Sequence, residues 1–165
     1  MIPGNTIYLR PVSTRDAKTI LEWENDPALW EVTATPGPFT LQEIKEFIEK
    51  STNVFEQNQM RWMICEKVKD LPIGALDIFD FNPSQMSAGV GILIADKNNR
   101  NKGFGKQALS IFIEFSRDTL RFKSLHCMIH VDNHASLRIF EQCGFKINGL
   151  KYFRNKKACK LALEL

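Results

Sequence analysis

A chain of 165 residues with 44% hydrophobic, 10% aromatic and 25% charged residues has the length of one domain and an ordinary globular composition, which excludes disordered, collagen-like and disulfide-scaffold classes. Its net charge of +3 hides a division at Asp96: residues 1–96 hold 8 Lys/Arg against 14 Asp/Glu, and residues 97–165 hold 14 against 5. One half therefore favours cations and the other anions.

No apolar run approaches the ~20 residues of a membrane span, and the opening MIPGNTIYLR lacks the charged-then-apolar pattern of a signal peptide. Cys65, Cys127, Cys143 and Cys159 are scattered, without the spacing of a zinc site. The expectation is a soluble, cytoplasmic protein with reduced, mostly buried thiols, no metal and no membrane partner.

Along the chain, Ile7–Pro11 alternates like an edge strand, and Ser13-x-x-Asp16 opens a helix with Ala17, Ile20 and Leu21 on one face. Asn25-Asp26-Pro27 should end it. A second capping box, Thr40-x-x-Glu43, starts a helix carrying Leu41, Ile44, Phe47 and Ile48. From Arg61 the period becomes two. Strands near Arg61–Val68, Gly74–Phe81 and Ala88–Ile94, separated by Lys69–Pro72 and Asn82–Ser84, form an antiparallel meander. A long helix from Gly103 to about Leu120 follows, then a strand over Ser124–Val131. A short helix from about Ala135 ends at Gly144, a left-handed cap. Strands near Phe145–Phe153 and Ala158–Leu163 close the chain. The predicted order is β-α-α-β-β-β-α-β-α-β-β: an α+β single domain over residues 1–165, with a mixed, twisted, mostly antiparallel sheet flanked by helices.

The strongest chemical signal is Arg100-Asn101-Lys102-Gly103-Phe104-Gly105-Lys106, between a strand and the long helix. Glycines let backbone approach a ligand, the free N–H groups of a helix start bind anions, and three cations share these seven residues. This reads as a pyrophosphate cradle, against the plainer reading of a Gly-rich turn. A P-loop is excluded, since its first glycine falls on Arg100 and its hydroxyl position on Gln107. Gly103-x-Gly105-x-x-Ala108 fits a relaxed dinucleotide fingerprint, but it stands too far from Ile94 and follows an antiparallel meander.

The stretch Arg100-x-x-Gly103-x-Gly105 has the form [QR]-x-x-G-x-[GA], and Asn133-x-x-Ser136-x-x-x-Phe140-x-x-x-Gly144-Phe145 is a second block at the right distance. Together with Leu9-Arg10-Pro11…Asp16 and Trp23-Glu24-Asn25-Asp26-Pro27, these make the chain resemble the GCN5-related N-acetyltransferases over almost its whole length, in the branch similar to ribosomal-protein N-terminal and spermidine acetyltransferases. The resemblance implies acetyl-coenzyme A as co-substrate. Pantetheine would lie along Ile92, Leu93 and Ile94 like an added strand, the pyrophosphate would rest on Arg100 and the amides of Asn101, Lys102, Gly103, Phe104, Gly105 and Lys106, Asn133 and Ser136 would cap the next helix and reach the pantetheine arm, and Phe140 would line the thioester channel.

In the family's mechanism an amine attacks the thioester directly while a base or water chain takes its proton and an acid meets the leaving thiolate. The tyrosine that often serves as acid is here Phe140, leaving Ser136 or water as the substitute. Gly89 and Gly91 stand where relatives often place an acidic residue. Glu24, Glu31, Asp77 and Asp80 are the remaining base candidates, Glu31 being the one chosen. Trp23, Trp30 and Trp62 are candidates for an acceptor pocket, with core packing as the alternative. His126, His130 and His134 are spaced by four, but the first two fall on a strand and suggest no metal. The basic C-terminal part lacks the interleaved aromatics of a nucleic-acid binder.

The expected activity is acetyl transfer to a primary amine of a cationic small molecule, a peptide N-terminus or an aminoglycoside-like acceptor. The alternatives are a non-catalytic coenzyme A-binding or regulatory module and, remotely, a small dinucleotide-binding protein. The acceptor, base, acid and oligomeric state are not legible, although dimers are frequent in similar proteins and a homodimer fits.

Overall fold

A computed structural model describes residues 1–33, 37–153 and 155–165, with the side chains of residues 31–33 left aside. Its framework is an eight-stranded sheet in the order β1-β2-β3-β4-β5-β6-β8-β7. The strands are β1 (Ile2–Pro3), β2 (Ile7–Pro11), β3 (Met60–Glu66), β4 (Leu71–Asn82), β5 (Ser87–Ile94), β6 (Ser124–His130), β7 (Lys146–Phe153) and β8 (Lys156–Glu164). Every neighbouring pair is antiparallel except β5 and β6. The helices are α1 (Ala17–Glu24), α2 (Pro27–Thr33), α3 (Leu41–Glu49), α4 (Val54–Gln57), α5 (Phe104–Asp118) and α6 (His134–Gln142). The predicted elements all occur, and β1, α2 and α4 add to the expected order.

Pro27 does end α1, which is capped at Asn25. It also begins α2, because proline lacks only an N–H that the first helical turn leaves unbonded anyway. At α3 the predicted capping box forms: Thr40 accepts from the Glu43 amide at 3.3 Å, and the Glu43 carboxylate accepts from the Thr40 amide at 2.7 Å.

Helices cover both faces of the early strands, so β3, β4 and β5 contain nearly continuous buried runs in place of the predicted period of two. On one face Trp62, Ile64, Leu76, Ile78, Val90, Leu125 and Leu161 pack with Leu109 and Phe112 of α5 and Phe140 of α6. On the other, Met63 and Cys65 of β3 meet Ala17 and Ile20 of α1 and Ile44 and Ile48 of α3. Gln107 ties the start of α5 to the N-terminal strands, its side-chain oxygen accepting from the Thr6 and Ile7 amides, each at 3.1 Å.

Candidate active site

Among the described residues the sheet has one parallel join, and that join is short. β5 and β6 pair only over Ser87–Gly89 against Ser124–His126, while both strands run on, to Ile94 and His130. Beyond Gly89 the strands part, leaving an opening whose β5 edge has no strand beside it.

Ladder geometry specifies which backbone groups face this opening. Ala95 N donates to Ile73 O at 3.0 Å, across the β4 side. Successive residues of a strand direct their N–H and C=O to opposite edges, so Leu93, Gly91 and Gly89 also bond toward β4, and Val90, Ile92 and Ile94 face the opening. Among the three expected pantetheine contacts, Ile92 and Ile94 therefore present main chain to the opening and Leu93 does not, its backbone facing Ala75. Val90 presents its backbone too. Sequence alone missed it because direction depends on register.

At the outer end of the opening the chain turns through Lys97–Asn99 into α5. Arg100 folds back on this turn, its Nε donating to Ile94 O at 3.0 Å and an Nη to Ala95 O at 3.3 Å. The guanidinium thus holds the turn together and occupies the Ile94 carbonyl, a role the motif alone does not reveal. The flanking backbone bonds are Arg100 N to Lys97 O at 3.2 Å and Gln107 N to Gly103 O at 3.0 Å. Between them, among the described residues, the amides of Asn101, Lys102, Gly103, Phe104, Gly105 and Lys106 donate to no protein acceptor. Asn101 and Gly103 are left-handed, with φ of 60° and 81°, which turns successive N–H groups into one concavity. The Lys102 and Lys106 side chains are exposed beside it.

At the head of α6, Asn133 Oδ1 accepts from the Ser136 amide at 3.1 Å. Asn133 is thus the cap, whereas Ser136, expected to share that role, is the residue being capped; its hydroxyl is half-buried. Phe140 is only 4% exposed and packs edge-on to Phe145 at 4.9 Å between centroids. Its ring belongs to the core.

The opposite face of the sheet carries the charged candidates. Register places Arg61, Asp77, Phe79, Gly89, Gly91, His126, Met128, His130 and Lys160 on this one face, the face of α1 and α3. Arg61 is largely shielded and fully engaged: Nε and Nη2 donate to the two Asp77 oxygens at 2.6 and 2.9 Å, Nη1 donates to Glu24 at 2.9 Å, and the guanidinium lies 4.6 Å from the Phe47 ring centroid. Burial alone would favour loss of its proton, but the two carboxylates outweigh that and hold it charged. A half-open cavity of about 180 Å³ lies beside this group, lined in part by Phe47, Gln59, Asp77 and Phe79. Phe79 reaches over β5: a Cβ at Gly89 would come within 2.3 Å of its ring, so a side chain at position 89 would have to displace Phe79.

A model of the acetyltransferase (GNAT) domain family matches residues 6–146. The chain belongs to that family. It is 26% identical over 162 residues to the N-acetyltransferase 9-like protein of Nematostella vectensis, covering 92% of this chain and 80% of that one, and 24% identical over 146 residues to the spermidine N(1)-acetyltransferase of Vibrio cholerae, covering 88% and 82%. The crystal structure of spermidine N-acetyltransferase from Vibrio cholerae in complex with CoA and spermine superposes with a TM-score of 0.84 at 19% identity, covering 96% of this chain and 95% of that one. This GNAT chain is an acetyl-coenzyme A-dependent N-acetyltransferase, and a dinucleotide fold is replaced by the family's mostly antiparallel sheet.

Within the acetyltransferase, Glu24 and Asp77 are both ion-paired to Arg61. Asp80 is exposed on β4. Glu31, the base chosen from sequence, has a side chain outside those described. Trp62 is core, 4% exposed, against Phe112 and Phe115 on the α5 face. Trp30 donates to the Glu24 carbonyl at 2.7 Å and props the end of α1. All four cysteines are free, and Cys65, Cys127 and Cys159 are buried. Among the described residues no helix is long and apolar enough to cross a membrane.

Proposed function

We propose that residues 1–165 form a single catalytic domain that transfers acetyl from acetyl-coenzyme A to a primary amine on a cationic small molecule or a peptide N-terminus. The observation carrying this reading is the opening between β5 and β6, continuous with the unbonded amides of Asn101–Lys106. Those amides and the lysines beside them suit a diphosphate, charge and hydrogen bonding acting together. The N–H and C=O groups of Val90 and Ile92 suit the amides of a pantetheine arm, which completes the strand edge that β6 leaves. Asn133 and Ser136 stand at the opposite wall, and Phe140 supports that wall from the core.

Bound acetyl-coenzyme A supplies a carbonyl carbon open to attack and a thiol that leaves readily, with an ordinary pKa near ~8.5. The chain's task is then to aim it and to receive a proton from the amine. Glu24 and Asp77, only partly neutralised by Arg61, together with exposed Asp80, give the acceptor face near α1 and β4 a negative balance that suits a cationic amine. The relatives named as spermidine acetyltransferases support the same acceptor class. Four free thiols, three of them buried, suit a reducing, cytoplasmic setting.

The test is calorimetric titration with acetyl-coenzyme A, followed by mass spectrometry of a panel containing spermidine, peptides with free basic N-termini, an aminoglycoside and anionic amines. Submicromolar to micromolar binding and acetyl gain on the cationic members are expected. Binding without product on any amine would support a non-catalytic coenzyme A module instead, and exclusive use of anionic amines would overturn the acceptor class.

A further inference from the structure

Acetyl transfer is aided by a group that takes the amine's proton; Glu24 and Asp77 are tied to Arg61, and Gly89 and Gly91 have no side chains. We infer that His126 is the general base, accepting a proton from the acceptor amine, directly or through one water, at the point where β5 and β6 part. This rests on the acetyltransferase reading above.

Gly89–His126 is the last pair of the parallel join, so His126 stands at the closed end of the opening, where an arm entering past Ile94 must stop. Its side chain shares a face with Phe79, Gly89 and Gly91, the face opposite the one packed by α5 and α6. Phe79, Gly89 and His126 form one row across three strands, with the Phe79 ring reaching over the glycine toward His126. The imidazole is half-buried, so it is accessible without being fully hydrated.

The surrounding charges suit a base. The β4–β5 register breaks after Phe79, and Asp80 there adopts a left-handed φ of 51°; such breaks re-aim side chains. Asp80 from β4 and Lys160 from β8 are the charges that act on His126. Burial lowers its proton affinity most, Asp80 raises it and Lys160 lowers it, leaving it below the ordinary histidine value and neutral at pH 7. Asp80 steadies the imidazolium once the proton arrives. His130 shares the face four residues on, about 13 Å away along the strand, with its ring against Phe153. It lies at the open end and serves as the internal control.

The step balances. The acceptor ammonium gives one proton to His126; the freed lone pair forms the C–N bond to the thioester carbonyl carbon; the C–S bond breaks. The thiolate takes the second amine proton, and His126 returns the first to solvent.

The experiment measures kcat/KM against pH for the wild type, His126→Gln, His130→Gln, Asp80→Asn and Lys160→Met, with spermidine or, if spermidine is not used, the fastest amine of the panel above. His126→Gln is expected to lower kcat/KM about 10²-fold or more at pH 7 and to flatten the acid limb of the profile, with acetyl-coenzyme A affinity kept within about threefold by calorimetry. His130→Gln should keep the limb. Asp80→Asn should move its inflection to lower pH and Lys160→Met to higher pH, opposite shifts that a purely structural role would not produce. An active wild type whose His126→Gln variant stays within threefold with an unchanged acid limb would overturn the assignment and leave the acetyltransferase reading intact. A wild type that binds acetyl-coenzyme A and acetylates no amine would overturn both.

Discussion

The start of α5 carries two glycines that the same substitution should affect in opposite ways. At Gly103 the backbone sits at φ 81°, and a Cβ would meet no atom within 4 Å. Gly103→Ala therefore introduces no clash, and its whole cost is that of holding an L-residue in the left-handed region, about 1–2 kcal/mol. Gly105 lies in the first turn of α5 with ordinary helical backbone; a Cβ there would be 3.4 Å from Ile139 Cδ1 and 3.8 Å from Ile94 Cγ1, which is normal contact. Gly105→Ala should stabilise by about 0.5–1 kcal/mol from helix propensity. At about 2–4 °C per kcal/mol for a domain of this size, thermal unfolding should fall by about 2–8 °C for Gly103→Ala and rise by about 1–4 °C for Gly105→Ala. Coenzyme A affinity adds a second axis. Strain that Gly103→Ala relieves by flattening the turn scatters the N–H groups, so calorimetry should show roughly tenfold weaker binding, equivalent to about 1.4 kcal/mol. Gly105→Trp, in contrast, cannot be contained between Ile139 and Ile94 and should abolish binding. Equal and same-signed shifts for the two alanine variants would refute the conformational reasoning, and an unaltered affinity in Gly105→Trp would refute the site.

Two further predictions concern partly buried ion pairs. Arg61→Met leaves Glu24 and Asp77, two partly exposed carboxylates, without their cation, and should cost about 1.5–3 kcal/mol by thermal or urea denaturation; adding Asp77→Leu should recover part of that loss, and an additive double mutant would contradict the coupling. Asp16, 3% exposed, accepts from Arg10 at 2.6 and 2.7 Å. Burial alone would raise its carboxyl, but Arg10 and the Ser13 amide outweigh that and hold it below the usual carboxylate range. Its stabilisation is fully present above the unfolded value near ~3.9 and disappears as pH falls through the lower folded value. The gap in stability between wild type and Asp16→Asn should thus be wide at pH 6 and narrow below pH 4 in acid titrations of unfolding; a constant gap would contradict the linkage.

How much of this the sequence discloses depends on how local the cause is. The capping box at Thr40, the left-handed Gly144 at φ 95° and the apolar stripe of α5 rest on neighbouring residues and were legible. Pro27 was read as a stop and proved also a start, since proline serves both ends of helices that nearly abut. Asn133 and Ser136 both stand at the head of α6, with Asn133 alone as its cap. The cradle at residues 100–106 was visible as a motif, yet the inward fold of Arg100 and the direction of the Val90, Ile92 and Leu93 backbones follow from register. The Arg61–Glu24–Asp77 group joins residues 37 and 16 positions apart, and His126 gains meaning only from the strand beside it. No short-range pattern marks either.

The aromatic ring resting on β5 also limits how this enzyme can change. A carboxylate introduced at position 89 would have to evict Phe79, whereas one at position 91, where a Cβ would clear the ring by 3.7 Å, would be admitted at once. Acquiring an acidic residue on this strand is therefore a single-mutation route at one site and a paired route two residues earlier, and directed evolution under selection for faster turnover should sample the former first.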